Sequence, residues 1–569
     1  MPGLEDYSEV SGYGIWTVAA KWYFLMWALL GVSFILAGIW FWQRGSNNGM
    51  RSFSIFNKQL SWGGKALLVL MFVGFIATRL HIINEVNGKG NFTLSEEEEI
   101  EQAEYEKKYG YLKSYLHPKY KVVNLKFDYF PHERKAVYKA EITLNNSHSL
   151  DTLYLNWADF EKVQEVSIEG KIVRPVYEDG DLLVSAYLIP TTNDSLVKIN
   201  ITAQKQYTGF TQGGEDPQPD LMFNGSFGSI KDFLPTIGYD YDRELKENRK
   251  RADYGLVKLT SRMASLNDSL ALKQDAFSPD AEWVTGKIEI STIASQTPIA
   301  PGNLTKTWND KGRTYSIFEI TNPQPFNWHL GSSEYKSVVA KAKEVSIEIL
   351  HDPKHAFNTA LYKEASAKAN EFVIKNLGSF PSREIRIYEI PYYQSLFYSF
   401  PNAIAISEKE GWYAKTDALN ERAYIYQTVS SQIIKQWVQS NISLANVQGA
   451  DMLKVALPEA LALSFVEKEL GKEALEIMLK KKSDKYAKDK NNEANQEPTL
   501  LYADGADYLE QYKGAIVMCE VIKEIGTDNF AKYLIDWSTK DGRNSTFKDF
   551  IDYLSPKLKI ETYNKFKAR

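Results

Sequence analysis

The chain has 569 residues, a formal net charge of −5 and a pI near 6.0, which leaves room for three or four domains at roughly 150 residues each. The slightly acidic balance removes the electrostatic case for nucleic acid, which is usually held on a basic face. A single cysteine, Cys519, forbids an intrachain disulfide and a cysteine-built zinc or iron-sulfur site; its simplest role is that of a small apolar residue on a helix.

In chain order, residues 1–21 form a short polar leader carrying Glu5, Asp6 and Glu9. Trp22 to Trp42 is uncharged and apolar over the length that crosses about 30 Å of hydrocarbon, with Lys21 and Arg44 as flanks and tryptophans at both ends. This predicts a transmembrane helix over 22–42. A second apolar run, Ala66 to Thr78, is shorter, but Trp62, Lys65 and Arg79 can snorkel and extend the span to 62–83. Neither reads as a cleavable signal peptide, because the first follows an acidic leader and no small-residue cleavage site leads into a folded domain. The connecting stretch, 43–61, is predicted to be cytoplasmic. Arg44, Arg51, Lys58 and Lys65 occur between the apolar runs with no acidic residue, so the leader and the large C-terminal body are expected outside.

Residues 84–120 are expected as a charged, solvated helical stalk with Ser95 as N-cap and an acidic first turn, ending towards Pro118. From 121 to 340, short alternating segments such as Val122 to Tyr129 and Lys139 to Leu144, broken by Asn-Asn, Asp-Gly and Pro-Gly, predict an antiparallel β domain. Helical periodicity then takes over in Thr359 to Leu377, Asn420 to Gln439, Leu457 to Leu470, Tyr512 to Ile525 and Asn529 to Trp537. With the strand Glu384 to Ile390, residues 341–569 read as a mostly helical domain, and the whole as an α+β multidomain chain with two transmembrane helices. Lys480 to Asn495, lysine-rich and polar, is expected as a mobile loop.

The nine residues Val429 to Trp437 have the frame of a zinc-protease helix, His-Glu-x-x-His, with the chemistry removed. Two imidazoles one turn apart would grip the metal and the glutamate would activate its water. Ser431, Gln432 and Lys435 stand in those places. A hydroxyl and a neutral amide are poor zinc ligands, and an ammonium repels the ion. All seven histidines lie at or before position 355, and the pair His351 and His355 is interrupted by Pro353, which favours a surface or capping role over metal binding. Ser430 or Ser431 beside Lys435 could suggest a serine-lysine dyad, but on a helix Ser431 and Lys435 are simply an i, i+4 polar pair.

Several further stretches carry a resemblance: Asn224 to Tyr239 followed by Arg251 to Leu256; Gln296 to Leu304 with Trp308 and Gly312-Arg313; His351 to Asn358; Tyr398 to Ile404; Ser407-Glu408; and Tyr512 to Ala515. In this order over nearly the whole chain they resemble the M1 family of zinc aminopeptidases, in the bacterial branch fused behind an ABC-2 type transporter permease. The resemblance implies a β-rich M1 N-terminal-like domain followed by a thermolysin-like, mostly helical domain. It maps the two histidine ligands to Ser431 and Lys435 and the catalytic glutamate to Gln432. The third ligand falls at Val455 when anchored on Ala445 to Ala450 and Val466 to Gly471, or at Glu459 when centred on Leu457 to Ala462. The oxyanion-stabilising tyrosine maps to Gln511, with Tyr508 and Tyr512 nearby, and the amine-binding glutamate is replaced within Ser399 to Asn402. Asn402, Glu408, Glu459, Tyr508 and Tyr512 would line a residual cleft.

With metal and nucleophile lost together, hydrolysis by the M1 mechanism is expected to be negligible and no cofactor is expected. The resemblance implies a membrane-anchored pseudopeptidase at a bacterial inner membrane with its large domain periplasmic, acting as an accessory subunit beside an ABC-2 permease and an ABC ATPase. Two spans are too few for a permease, and no Walker A motif is present. The alternatives are a zinc-independent peptide-binding module and an M1-type metallopeptidase with an unrecognised site.

Overall fold

The computed structural model describes residues 7–41, 60–190, 195–211, 213–214, 219–342, 345–380, 382–412, 417–493, 496–540 and 544–567. Two helices, α1 (Trp16–Phe41) and α2 (Trp62–Ile83), are long and apolar enough to cross a membrane. Trp22 packs on His81 at 4.3 Å between ring centroids, and Leu29 lies against Gly74, so the helices run antiparallel. A Cβ on Gly74 would meet Leu29 at 3.4 Å, an ordinary van der Waals contact. Phe24, Trp27, Phe34 and Ile35 on α1, and Val69, Leu70 and Phe72 on α2, remain exposed, as a lipid-facing surface would require. The first helix begins six residues before Trp22, and Trp16 is buried at its outer end. The basic residues Arg44, Arg51 and Lys58 fall outside the described residues.

After α2 the chain enters α3 (Ser95–Tyr109). Its N-cap is Leu94 rather than Ser95, and the Glu97 carboxylate accepts from the Leu94 N–H at 2.9 Å. The expectation of a solvated stalk is corrected here. Ala103, Tyr105 and Tyr109 are buried, and the Arg251 guanidinium donates two parallel 2.7 Å bonds to Glu106, so one face of α3 is docked on the β-rich region.

That region is built on an eight-stranded sheet. Its strands lie in the order Asn303–Asp310, Arg313–Gln324, Ala281–Ile293, Lys119–Phe130, Lys135–Asn145, Leu196–Gln206, Glu161–Ile168 and Lys171–Ile172. Alternating burial along Lys119–Phe130 and Lys135–Asn145 is the period-two pattern of a sheet with one packed face. The sheet is not wholly antiparallel as expected: Lys119–Phe130 and Ala281–Ile293 pair in parallel, joining segments distant in the chain. Four-stranded and three-stranded sheets complete the layer.

A five-stranded sheet follows, in the order Lys336–Ala342, Val345–His351, Glu384–Ile390, Ala403–Ser407, Phe397–Phe400. The two inner pairings are parallel, and α4 (Thr359–Asn376) makes the crossover between Val345–His351 and Glu384–Ile390. Ala403–Ser407 is buried throughout, which fits a strand covered on both faces. Behind it lie α5 (Leu419–Asn441), α6 (Leu457–Leu470), α7 (Lys472–Lys490) and α8 (Ala515–Ile525). The sheet residues Ile347, Ile387 and Ile404 and the helix residues Val429, Ile433 and Leu461 share one core. The expected loop over Lys480 to Asn495 is instead largely the second half of α7.

Candidate functional site

Helix α5 is buried along most of its length because its apolar residues face the sheet on one side and α6 on the other. Gln436 fixes it to the sheet edge: its side-chain amide donates to Ser399 Oγ (2.7 Å), Ala403 O (2.9 Å) and Phe400 O (3.1 Å), and its Oε1 accepts from the Asn402 N–H (3.2 Å). Asn402 is a turn residue at φ 62°, with its own amide donating to Ser382 Oγ and Asn303 Oδ1 at 2.7 and 2.8 Å. Its polar groups are spent on the turn.

On the same helix, Ser431 Oγ donates to Thr428 O at 3.1 Å and Ser430 Oγ to Gln427 O at 3.1 Å. The Ser430 proton therefore goes to backbone one turn back, the Ser431 proton has both Thr428 O and the Glu459 carboxylate as acceptors, and no serine-lysine hydrogen bond forms among the described residues. Gln432 is buried, with its Oε1 lacking a hydrogen-bond partner among the described residues. Lys435 is half-buried. Burial first, and Lys454 second, lower its pKa against the opposing pull of Asp451 and Glu459.

Glu459, in the first turn of α6, is the carboxylate that reaches this face. It accepts from Gln427 Nε2 at 2.6 Å and from Lys482 Nζ of α7 at 2.7 Å. Burial pushes its pKa up, but the Lys482 ammonium, with Ser431 and Gln427, brings it below the ordinary carboxylate value. The same ammonium donates to Gln511 O at 3.0 Å. Val455 lies in the π-helical turn Met452–Ala456 before α6 and is half-buried. Tyr508 is buried and stacked 6.1 Å from Tyr486, whereas the Tyr512 ring lies beneath the ammonium groups of Lys482 and Lys485.

These residues do not fit zinc. The helix presents a hydroxyl, an amide and an ammonium where neutral nitrogen or anionic ligands are required, and the remaining carboxylate is occupied by a lysine. In effect Lys482 supplies Glu459 with a fixed internal cation. That lysine was not visible as a site residue in the sequence, since nothing in a lysine-rich stretch marks which amine turns inward.

A second cluster lies at the C-terminal ends of the strands Glu384–Ile390 and Ala403–Ser407, beside the turn that leads into α4. His355 and Glu389 form a short hydrogen bond between Nδ1 and Oε1, and ligand-type atoms of His355, Glu389 and Glu408 lie within 4.8 Å of one another. All three are buried, which corrects the expected surface role of the His351 and His355 pair: His351 is buried too, 2.7 Å from the carbonyl of Asp352. Glu389 Oε2 accepts from the Asp352 N–H at 2.7 Å, and the two Glu408 oxygens accept from the N–H groups of Glu9 and Val10 at 3.1 and 3.3 Å. Burial pushes the Glu408 carboxyl up to about 7, with Glu389 adding to the rise and the leader N–H groups opposing it. Each carboxylate oxygen already accepts a hydrogen bond: those of Glu389 from His355 and the Asp352 N–H, those of Glu408 from the leader.

No family model and no curated protein matches the sequence. Solved structures do. An M1 zinc metallopeptidase from Deinococcus radiodurans superposes with a TM-score of 0.55 at 12% identity, over 80% of this chain and 94% of that one. The chain has the M1 metallopeptidase fold. A mutant of the same M1 enzyme bound to the substrate Tyr-Ser-Ala gives a TM-score of 0.53 at 13% identity, over 79% of this chain and 93% of that one. At such identities the M1 likeness describes the fold, and the chemistry rests on the residues above.

Proposed function

We propose that this protein is a membrane-anchored, catalytically silent M1-fold subunit that works beside an ABC-2 type permease and its ATPase. The observation that carries the reading is the Glu459–Lys482 pair facing Ser431, Gln432 and Lys435. A metallopeptidase needs a Lewis acid and an activated water there, and these side chains exclude the first and cannot generate the second. What remains is a shaped, rigid body held at a bilayer. The contact between the leader and the body supports a topology in which both lie on one side of that bilayer, with the intervening loop on the other. By the positive-inside rule that loop is cytoplasmic, and in a bacterial inner membrane the body is then periplasmic.

The test is twofold. Purified full-length protein should carry no stoichiometric zinc and no aminopeptidase activity, and a tagged copy should co-purify with permease and ATPase subunits in mild detergent. Tightly bound zinc with turnover would overturn the silent reading, and repeated absence of such subunits would overturn the transporter reading.

A second reading, a peptide-binding module, is favoured by the Oε1 of buried Gln432, without a hydrogen-bond partner among the described residues, and by Lys435 one turn on along the same helix, groups suited to a peptide's polar termini. Peptide enrichment that disappears in Lys435→Met would select it. Equal recovery by both proteins would reject it.

A further inference from the structure

Residues Tyr7 to Gly14, just outside α1, fold into a tight turn. Ser8 and Gly12 exchange backbone hydrogen bonds of 3.1 and 2.6 Å, and Gly12 sits at φ 62°, where glycine is favoured. Ser8 and Val10 are buried against the body. The body holds this turn largely by its main chain: Glu408 accepts from the N–H groups of Glu9 and Val10, Asn224 Nδ2 donates to Val10 O at 2.7 Å, and Lys354 Nζ donates to Glu9 O at 3.0 Å. A side chain on Gly225 would come within 2.8 Å of Val10 Cγ1 and 2.7 Å of Pro391, so the seat depends on that glycine. Asn224 is itself anchored, its Oδ1 accepting from the Glu334 N–H at 2.8 Å and from Ser333 Oγ at 3.1 Å. Main-chain recognition by groups from separated segments fixes register as well as proximity.

We propose that the leader is a clasp that locks the outer end of α1 to the body, with Glu408 as its anchor. Without the clasp the body would be held through the α2 end, by the link to α3 and by Phe210, whose ring meets His81 at 5.9 Å and whose N–H donates to Glu85 O at 3.1 Å. The clasp adds a second attachment through the other membrane helix, so that α1 and the body move as one.

The experiment is hydrogen–deuterium exchange on full-length protein in nanodiscs, corrected for intrinsic rates and read at the amides of Glu9 and Val10. Both should exchange at least roughly tenfold more slowly than in the synthetic leader peptide, as expected for charge-assisted bonds. Protection should be lost in Glu408→Ala, which removes both acceptors of the leader's N–H groups. Because Glu408 is buried beside Glu389, the leader-side change Val10→Asp provides a variant with an unaltered body; it should expose the Glu9 amide while leaving exchange in α5 and α6 unchanged. Free-peptide rates in the native protein, or protection that survives Val10→Asp, would overturn the clasp.

Discussion

Two lysines on the emptied site should behave in opposite ways. Lys482 offsets the buried charge of Glu459, so Lys482→Met strands a carboxylate and should cost about 3 kcal/mol, seen as a lower unfolding midpoint in detergent. The pair also sets an acid limit. Since the Glu459 pKa is depressed in the folded protein, its stabilisation is present above the unfolded value, about 4.3, and is lost as the pH falls through the folded value. The native melting curve should therefore weaken below about pH 4 more than that of Lys482→Met. Lys435 has the reverse sign. Burial lowers its pKa, so holding it charged costs stability at neutral pH, and the cost fades as the pH rises towards the unfolded value of about 10.4. Lys435→Met should raise the neutral-pH midpoint by an amount equivalent to about 1 kcal/mol. A lower midpoint would mean that the ammonium has a partner in the folded protein.

Among the elements, α3 tests whether the two apolar helices are coupled firmly to the body. Arg251 is buried and gives Glu106 a bidentate pair, with further bonds to Leu245 O and Val257 O at 2.7 and 2.8 Å. Arg251→Ala should cost about 3 kcal/mol locally and raise amide exchange across 95–109 while α5 stays protected. How much was legible in the sequence also divides by element. Helices α5 and α6 and the strand Glu384–Ile390 announce themselves because their apolar spacing matches 3.6 or near-continuous burial. Helix α7 was missed because lysine content was read as solvation, although Lys, Glu, Ala and Leu are good helix formers. The cluster of His355, Glu389 and Glu408 had no local signal: parallel pairing alone brings the ends of two strands beside the turn that holds the histidine. The leader was equally opaque, since Glu9 reads as a solvent residue while its backbone is what the body binds.

For the molecule as a whole, the sharpest question is whether the M1 fold could be returned to metal binding. Ser431→His, Gln432→Glu and Lys435→His together restore the helix residues, but Lys482 would still compete for Glu459. Zinc analysis should find substoichiometric metal in that triple variant and at least roughly tenfold tighter binding once Lys482→Met is added. Aminopeptidase activity should stay near background even then, because the resemblance to M1 enzymes implies Gln511 in the place of the phenol that stabilises the oxyanion. Tight zinc in the triple variant alone would show that Lys482 is no obstacle.

The parallel pairing of Lys119–Phe130 with Ala281–Ile293 bears on how the chain is made. During synthesis the early strand can zip at once to its hairpin neighbour Lys135–Asn145. Its opposite edge stays unsatisfied until translation has passed Ile293, leaving a sticky strand border for that interval. Biogenesis should thus hinge on a holding chaperone on the side where the body folds, and slowing translation between those two strands should favour aggregation over assembly.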